Sequence, residues 1–338
     1  MADLFSTNVL ARVVADLRAP ASFLLDRFFG EVQTETSEEI HFDVENKKRR
    51  LAPFVSPVVA GKVVQSNGFT TSTFKPAYVK DKRVFDAGRP LKRSAGEQIG
   101  GSLDPMERMQ RLLAQELSDQ LDMLTRRMEV MAAEALRTGG VTITGDMYPT
   151  VNVNFGRAGA NTITLAGAAR WGQAGIKPLD LLQDWALAVA KASGSKPTEV
   201  IMDVDAWKVF SADTTVQKLL DRFRGRDELR TVAALGEGGN FMGSVGDFDI
   251  YLYAGWYIDD AGNEQPILPS GTVLMGSGQI EGVRAFGAIR DEEAGYQALP
   301  YFPKSWVEKD PAVRILLMQS APLVVPYRVN ASLAATVL

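Results

Sequence analysis

The chain contains no cysteine and a single histidine, His41, in 338 residues. The first absence excludes disulfides, thiolate nucleophiles and Cys-ligated zinc or iron–sulfur centres, and it fits synthesis in a reducing compartment. The second leaves His41 as the sole base for a Ser-His-Asp triad. It lies among acids in "EEIHFDVENKKRR", with no serine-bearing elbow motif in the chain. Histidine-rich metal sites fall by the same count, and no acidic loop has the ligand spacing of a calcium or magnesium site. No cofactor is expected. Long apolar runs are also missing: Asp and Arg interrupt every candidate span, and "MADLFSTNVLARVVADLRAPASFLLDRFFG" lacks a basic start, an apolar run and a small-residue cleavage site. The expectation is a chain neither exported nor membrane-bound. Internal repeats and low-complexity linkers are absent as well.

Two glycine-rich stretches invite a phosphate-loop reading and fail it. "GEGGNFMGSVG" (236–246) lacks the closing Gly-Lys-Ser/Thr, and "GSGQIEG" (276–282) misses dinucleotide-loop spacing and precedes no helix pattern. Both read as turns. The acidic pairs Asp259-Asp260 and Glu292-Glu293 read as solvated surface rather than glycosidase carboxylates. "KKRR" at 47–50 reads as a solvated or ion-pairing run.

What is present is architecture. Apolar content of 46% with 23% charged residues belongs to an ordered protein, and the length suits two domains or one with large excursions. Net charge is −4, but residues 54–85, "FVSPVVAGKVVQSNGFTTSTFKPAYVKDKRVF", carry five cations and one acid, a local +4 that leaves −8 elsewhere. Pro57 and Pro76 each remove a ladder donor, so this stretch reads as an edge or arm, a hairpin turning at Asn67-Gly68 and lacking a core of its own. A positive arm on an acidic body suits either nucleic acid or an acidic patch on a second copy.

Helical spacing of Leu10, Val13, Val14 and Leu17 marks 4–18, which Pro20 stops; "SFLLDRFF" is a second short apolar segment, and Ile40 and Phe42 alternate with His41 and Asp43 as in a strand. The strongest pattern lies at 104–138. Asp104 caps, Pro105 takes the first helical position, Glu107 completes a capping box and Gly139-Gly140 closes the end. Leu117, Leu121, Leu124, Met128, Met131 and Ala135 form one apolar stripe. Such a helix, roughly 50 Å long, needs something extended beside it, either the β-rich runs of the last third or a neighbouring subunit. Between them come strands at "VTITGDMYPTVNVNFG", "NTITL" and "TEVIMDV", a helix at 178–193, a broken helix at 215–235 and a hairpin around Asp260–Gln265.

At this point the residues carry a resemblance. "FLLDRFF", "FVSPVVAGKVV", "PAYVKDK" and "YFPKSWVEKDPAVRILLMQSAPLVVP" stand in the order found in the major capsid proteins of lambda-like tailed phages, with "MDVDAWKVF" and "VRAFGAIRDEEA" as companions. The chain resembles that family from about residue 23 to 326. The resemblance implies an α+β class, the tailed-phage major capsid (Johnson) fold. It assigns 1–52 to an N-terminal arm, 53–95 to an extended loop, and 96–145 with 283–327 to a peripheral domain holding the spine helix 104–138. Residues 146–282 and 328–338 become an axial domain.

It also implies a structural role without catalysis: self-assembly through hexamers and pentamers into an icosahedral shell that encloses double-stranded DNA, contacted weakly and non-specifically. A separate scaffolding protein, a portal and a small decoration protein are the implied partners. The chain begins almost directly with the arm, so a fused scaffolding domain is not expected. Lys62, Lys75, Lys80, Lys82 and Arg83 are candidates to meet acids of the adjacent copy, with Phe69, Phe74 and Tyr78 as apolar anchors. An encapsulin-like compartment, a cytosolic α/β enzyme and a nucleic-acid-binding protein are the alternative readings.

Overall fold

In the computed structural model the chain is described over residues 5–17, 22–37, 39–45, 69–86, 88–93, 103–145, 148–220, 238–310 and 313–338, with positions 52, 57, 58, 60 and 97. An arm opens with helices α1 (Thr7–Asp16) and α2 (Phe23–Phe28), then strands β1 (Glu31–Thr34) and β2 (Ile40–Glu45). Strands β3 (Phe69–Phe74) and β4 (Val79–Asp86) precede the long helix α3 (Pro105–Thr138). There follow β5 (Gly140–Gly145), β6 (Tyr148–Asn154), β7 (Thr162–Thr164), α4 (Pro178–Ser193), β8 (Glu199–Met202), α5 (Val204–Ala212) and α6 (Thr214–Leu219). The remaining strands are β9 (Gly239–Val245), β10 (Phe248–Tyr253), β11 (Trp256–Ile258), β12 (Glu264–Pro266), β13 (Thr272–Gly276), β14 (Gly282–Phe286), β15 (Phe302–Glu308), β16 (Val313–Ser320), β17 (Pro322–Pro326) and β18 (Leu333–Thr336).

The ends of α3 are set by the groups expected to set them. The Asp104 carboxylate accepts the Glu107 N–H at 2.7 Å, the Glu107 carboxylate accepts the Asp104 N–H at 3.0 Å, and Gly139 closes the helix in the left-handed region at φ 75°. All six stripe residues are buried. The stripe serves two cores in turn. Leu113, Leu117 and Leu121 pack with Leu10 and Val14 of α1, Phe85 of β4, and Leu316 and Met318 of β16. Leu124, Met128, Met131 and Ala135 enter the main core with Leu24, Leu25 and Phe28 of α2, Phe286, and Leu323 to Val325 of β17. A helix of 34 residues is therefore long because it spans two packing units.

A six-stranded sheet, order β7-β18-β13-β8-β10-β9, lies beyond the second half of α3. Alternation divides its apolar strands cleanly. Val200, Met202, Ile250, Val273 and Met275 face the helical layer of α4, α5 and α6, while Ile201, Tyr251 and Leu274 face α3 and the arm. Both faces are covered, which is why Val200–Met202 of β8 and Val273–Met275 of β13 are apolar without alternation.

Three expectations are corrected. Residues 69–85 do not run as one continuous strand, and the expected turn at Asn67-Gly68 lies outside the described residues. Strand β3 pairs antiparallel with β2, from Ile40↔Phe74 to Glu45↔Phe69, whereas β4 pairs with β16 over eight residues in the sheet β15-β16-β4. The break falls at Lys75–Tyr78, where Pro76 interrupts the ladder and packs close to Gly287. The stretch is not coreless either, since Phe74 and Phe85 are buried in separate clusters of their own chain. The glycine-rich run at 236–246 is largely strand β9 rather than a turn. Its Gly239 lies under the arm: a Cβ there would stand 2.4 Å from the Phe23 ring. The part of the expected broken helix at 221–235 lies outside the described residues.

Candidate assembly surfaces

The ribbon β2–β3 carries the intervening chain 46–68, which holds five cations and no acid. Lys62 belongs to that chain and lies outside the described residues, and Phe69 is placed by its backbone alone, opposite Glu45. The other candidates separate by face. On β4, Lys80 and Lys82 are exposed, Lys80 near the Tyr78 ring at 5.5 Å and Lys82 near the Trp306 ring at 5.8 Å. Lys75 is exposed before the strand. Arg83 and Phe85 point the other way, toward α3.

Arg83 is answered within its own chain. Its guanidinium donates to Glu116 of α3 at 2.6 Å and through two nitrogens to Asp81 at 3.1 Å, and Arg89 donates to the second Glu116 oxygen at 2.5 Å. Burial alone would raise the Glu116 carboxyl, but the hydrogen bonds from Arg83 and Arg89 outweigh it and hold it below its ordinary value. Tyr78 is similarly engaged: its hydroxyl donates to the Ala288 carbonyl at 2.5 Å and accepts from the Arg290 N–H at 3.1 Å. Phe74 is 9% exposed and contributes to the main core. The exposed members of the predicted set are thus Lys75, Lys80 and Lys82.

The arm is fastened by residues that sequence reasoning missed. Glu129, on the buried side of α3, accepts the Leu24 N–H at 2.8 Å and the Leu25 N–H at 3.0 Å, satisfying the first turn of α2, and also accepts the Tyr253 hydroxyl at 3.0 Å. One carboxylate joins arm, spine and sheet. Burial pushes it above the ordinary carboxyl value, and the three donors offset this only in part. Arg27 of α2 reaches Glu199 of β8 and the Tyr251 hydroxyl, both at 2.5 Å, with its guanidinium 4.1 Å from the Tyr251 ring. Arg284 of β14 holds the other end of α2 through the Phe29 carbonyl at 2.7 Å and Asp26 at 2.6 Å. Arg157 donates to the Ala135 and Arg137 carbonyls at the end of α3 and to Ser332 at 2.7 Å; burial lowers it to about 10. The available signal was polarity inside the stripe: Glu116, Gln120 and Glu129 all fall on the buried side of α3.

These features define a chain held together by arm, spine and sheet, with the two-stranded ribbon β2–β3 joined to the main core through Ile40 and Phe74. Among the described residues no cluster of His, Asp and Glu stands together as a metal site, and no helix is long and apolar enough to cross a membrane. The family profile described as phage major capsid protein E matches residues 6–337, and the chain belongs to that family. It is 33% identical over 302 residues to the major capsid protein of Escherichia phage lambda, covering 88% of each chain, and 32% identical to that of Enterobacteria phage P21, covering 95% of this chain and 96% of the other. The crystal structure of a prophage capsid protein of E. coli CFT073 superposes with TM-score 0.78 at 26% identity, covering 98% of this chain and 99% of that one. The capsid of Ralstonia phage GP4 shares the fold at TM-score 0.52 and 15% identity, over 95% and 91% of the two chains. The fold is the tailed-phage capsid fold, and the role is that of a structural head-shell subunit.

Proposed function

We infer that this chain assembles with copies of itself in the host cytoplasm, through hexamers and pentamers, into an icosahedral head shell around double-stranded DNA. A separate scaffolding protein, a portal and a small decoration protein are its proposed partners, and DNA contact is weak and non-specific. The proposed division keeps an arm in 1–52, a peripheral unit in 96–145 and 283–327 and an axial unit in 146–282 and 328–338. The extended loop of this division, 53–95, is supplied in part by the ribbon, whose pairing begins at residue 40.

The observation that carries the reading is the ribbon. A lone two-stranded ribbon is marginal in water, and the chain between its strands has five cations and no acid. An acidic, partly apolar surface on the adjacent copy supplies both needs, and repetition around a closed array turns modest contacts into a stable shell. Lys62, Lys75, Lys80 and Lys82 are the proposed charges, with Phe69 as an anchor. Electron microscopy of the purified chain tests the reading through rings or closed particles. Replacing the four lysines by Gln should suppress particles at physiological salt while leaving monomer unfolding unchanged; undiminished assembly rejects the charge contact. Arg83→Gln should instead destabilise the monomer, because its partners are internal.

A further inference from the structure

Among the described residues, two apolar features of the part of the chain around the six-stranded sheet lack cover. The hairpin β11–β12 presents Trp256 and Ile258, 57% and 69% exposed and two residues apart on one face, while the intervening Tyr257 packs on the main core. A groove of about 480 Å³ runs between α4 and the β9–β10 turn, with Ala186, Val245 and Phe248 in its floor and Leu187, 54% exposed, on its wall. Gln183 and Asp184 stand along it, and Lys196 at its rim is answered by Asp247. The rim is nearly neutral, so apolar contact must supply most of the affinity.

The positions exclude an internal solution. The groove adjoins Phe248, at the start of β10, and the hairpin leaves the end of that strand after Tyr253. Five residue steps at 3.3 Å separate the two by roughly 17 Å along the strand, and the hairpin tip is directed to α3, where Arg127 meets Asp260 at 3.6 Å. One copy cannot place its own Trp256 in its own groove. A second copy can. Donor and acceptor on opposite ends of one strand make a head-to-tail contact, the kind that closes into a ring when repeated by rotation.

We propose that Trp256 and Ile258 of one copy seat in the groove beside Leu187 of the next, within the ring contacts of the shell. This rests on the self-assembly reading and specifies one of its contacts. The indole buries roughly 150–250 Å² when enclosed, and its N–H finds acceptors in the Asp184 carboxylate and the Gln183 side chain. The hairpin is a small element, two strands of three residues, and a neighbour's groove would brace it from the side its own core leaves open.

A chain without cysteine allows a clean test. Full-length L187C/W256C particles, treated with a short thiol-to-thiol crosslinker, should give a ladder of covalent multimers on a denaturing gel, while particles of either single variant should give none. Particles of the double variant without the ladder overturn the groove contact and leave the shell reading intact. Should the double variant not assemble, each single-cysteine chain is co-assembled with the other in an excess of wild-type chain; a covalent dimer supports the contact and its absence overturns it. A wild-type chain that forms no particle under any assembly condition removes the shell reading itself, and the contact with it.

Discussion

Glu129 and Glu116 lie on the same helix, and their carboxyls are shifted in opposite directions. Glu129 is raised in the fold, chiefly by burial, so its contribution is complete below the ordinary carboxyl value and is lost as pH rises through the raised one. Glu116 is lowered by its two arginines against the opposing effect of burial, so its contribution is complete above the ordinary carboxyl value and is lost as pH falls through the lowered one. Urea midpoints measured across that range should therefore respond oppositely: E129Q flattens the decline on the upper side, and E116Q flattens the loss on the acid side. Removing the carboxylate altogether is a different matter. Glu129→Ala leaves the Leu24 and Leu25 N–H groups buried without acceptors, and should cost about 1–3 kcal/mol in equilibrium unfolding.

At the scale of elements, the arm helix α2 has only six residues and no side-chain cap of its own. Its order comes from Glu129, Arg284, Arg27 and the Phe23 ring lying on Gly239. Gly239→Ala should lift that ring and release the arm, seen as faster proteolytic cleavage between α2 and β1 with the β9–β10 pairing retained. The spine helix has the opposite character, with both ends specified locally. Gly139→Ala there meets a positive φ and a Cβ contact of 2.5 Å to Arg157, and should cost about 1 kcal/mol or more in thermal unfolding.

For the whole molecule, the register of the ribbon offers a direct experiment. Glu45 stands opposite Phe69, so an Asn-Gly turn can replace 46–68 and close the two strands. The shortened chain should unfold like the full one but form no shells, which light scattering and microscopy would show. Shell formation without the segment would mean that the ribbon's tip is dispensable and that contacts such as the Trp256 groove suffice.

Local chemistry was legible from the residues alone. Asp104, Pro105, Glu107 and Gly139 act within a few residues of one another, so α3 and its boundaries follow from sequence, as do α4 and the β11–β12 hairpin. The resemblance of scattered motifs pointed to the family that the comparisons show. Pairing across distance was not legible. That β3 takes β2 while β4 takes β16 depends on which edges the folded core leaves open, and Arg83 reads in the sequence as a cation for an adjacent copy because Glu116 lies 33 residues away. Glycines at 239 and 243 looked like a turn because the ring that needs one of them belongs to the arm. Sequence alone determined the elements whose partners are neighbours in the chain; the tertiary structure decided every contact whose partner is close only after folding, because register, burial and charge pairing are properties of the assembled surfaces.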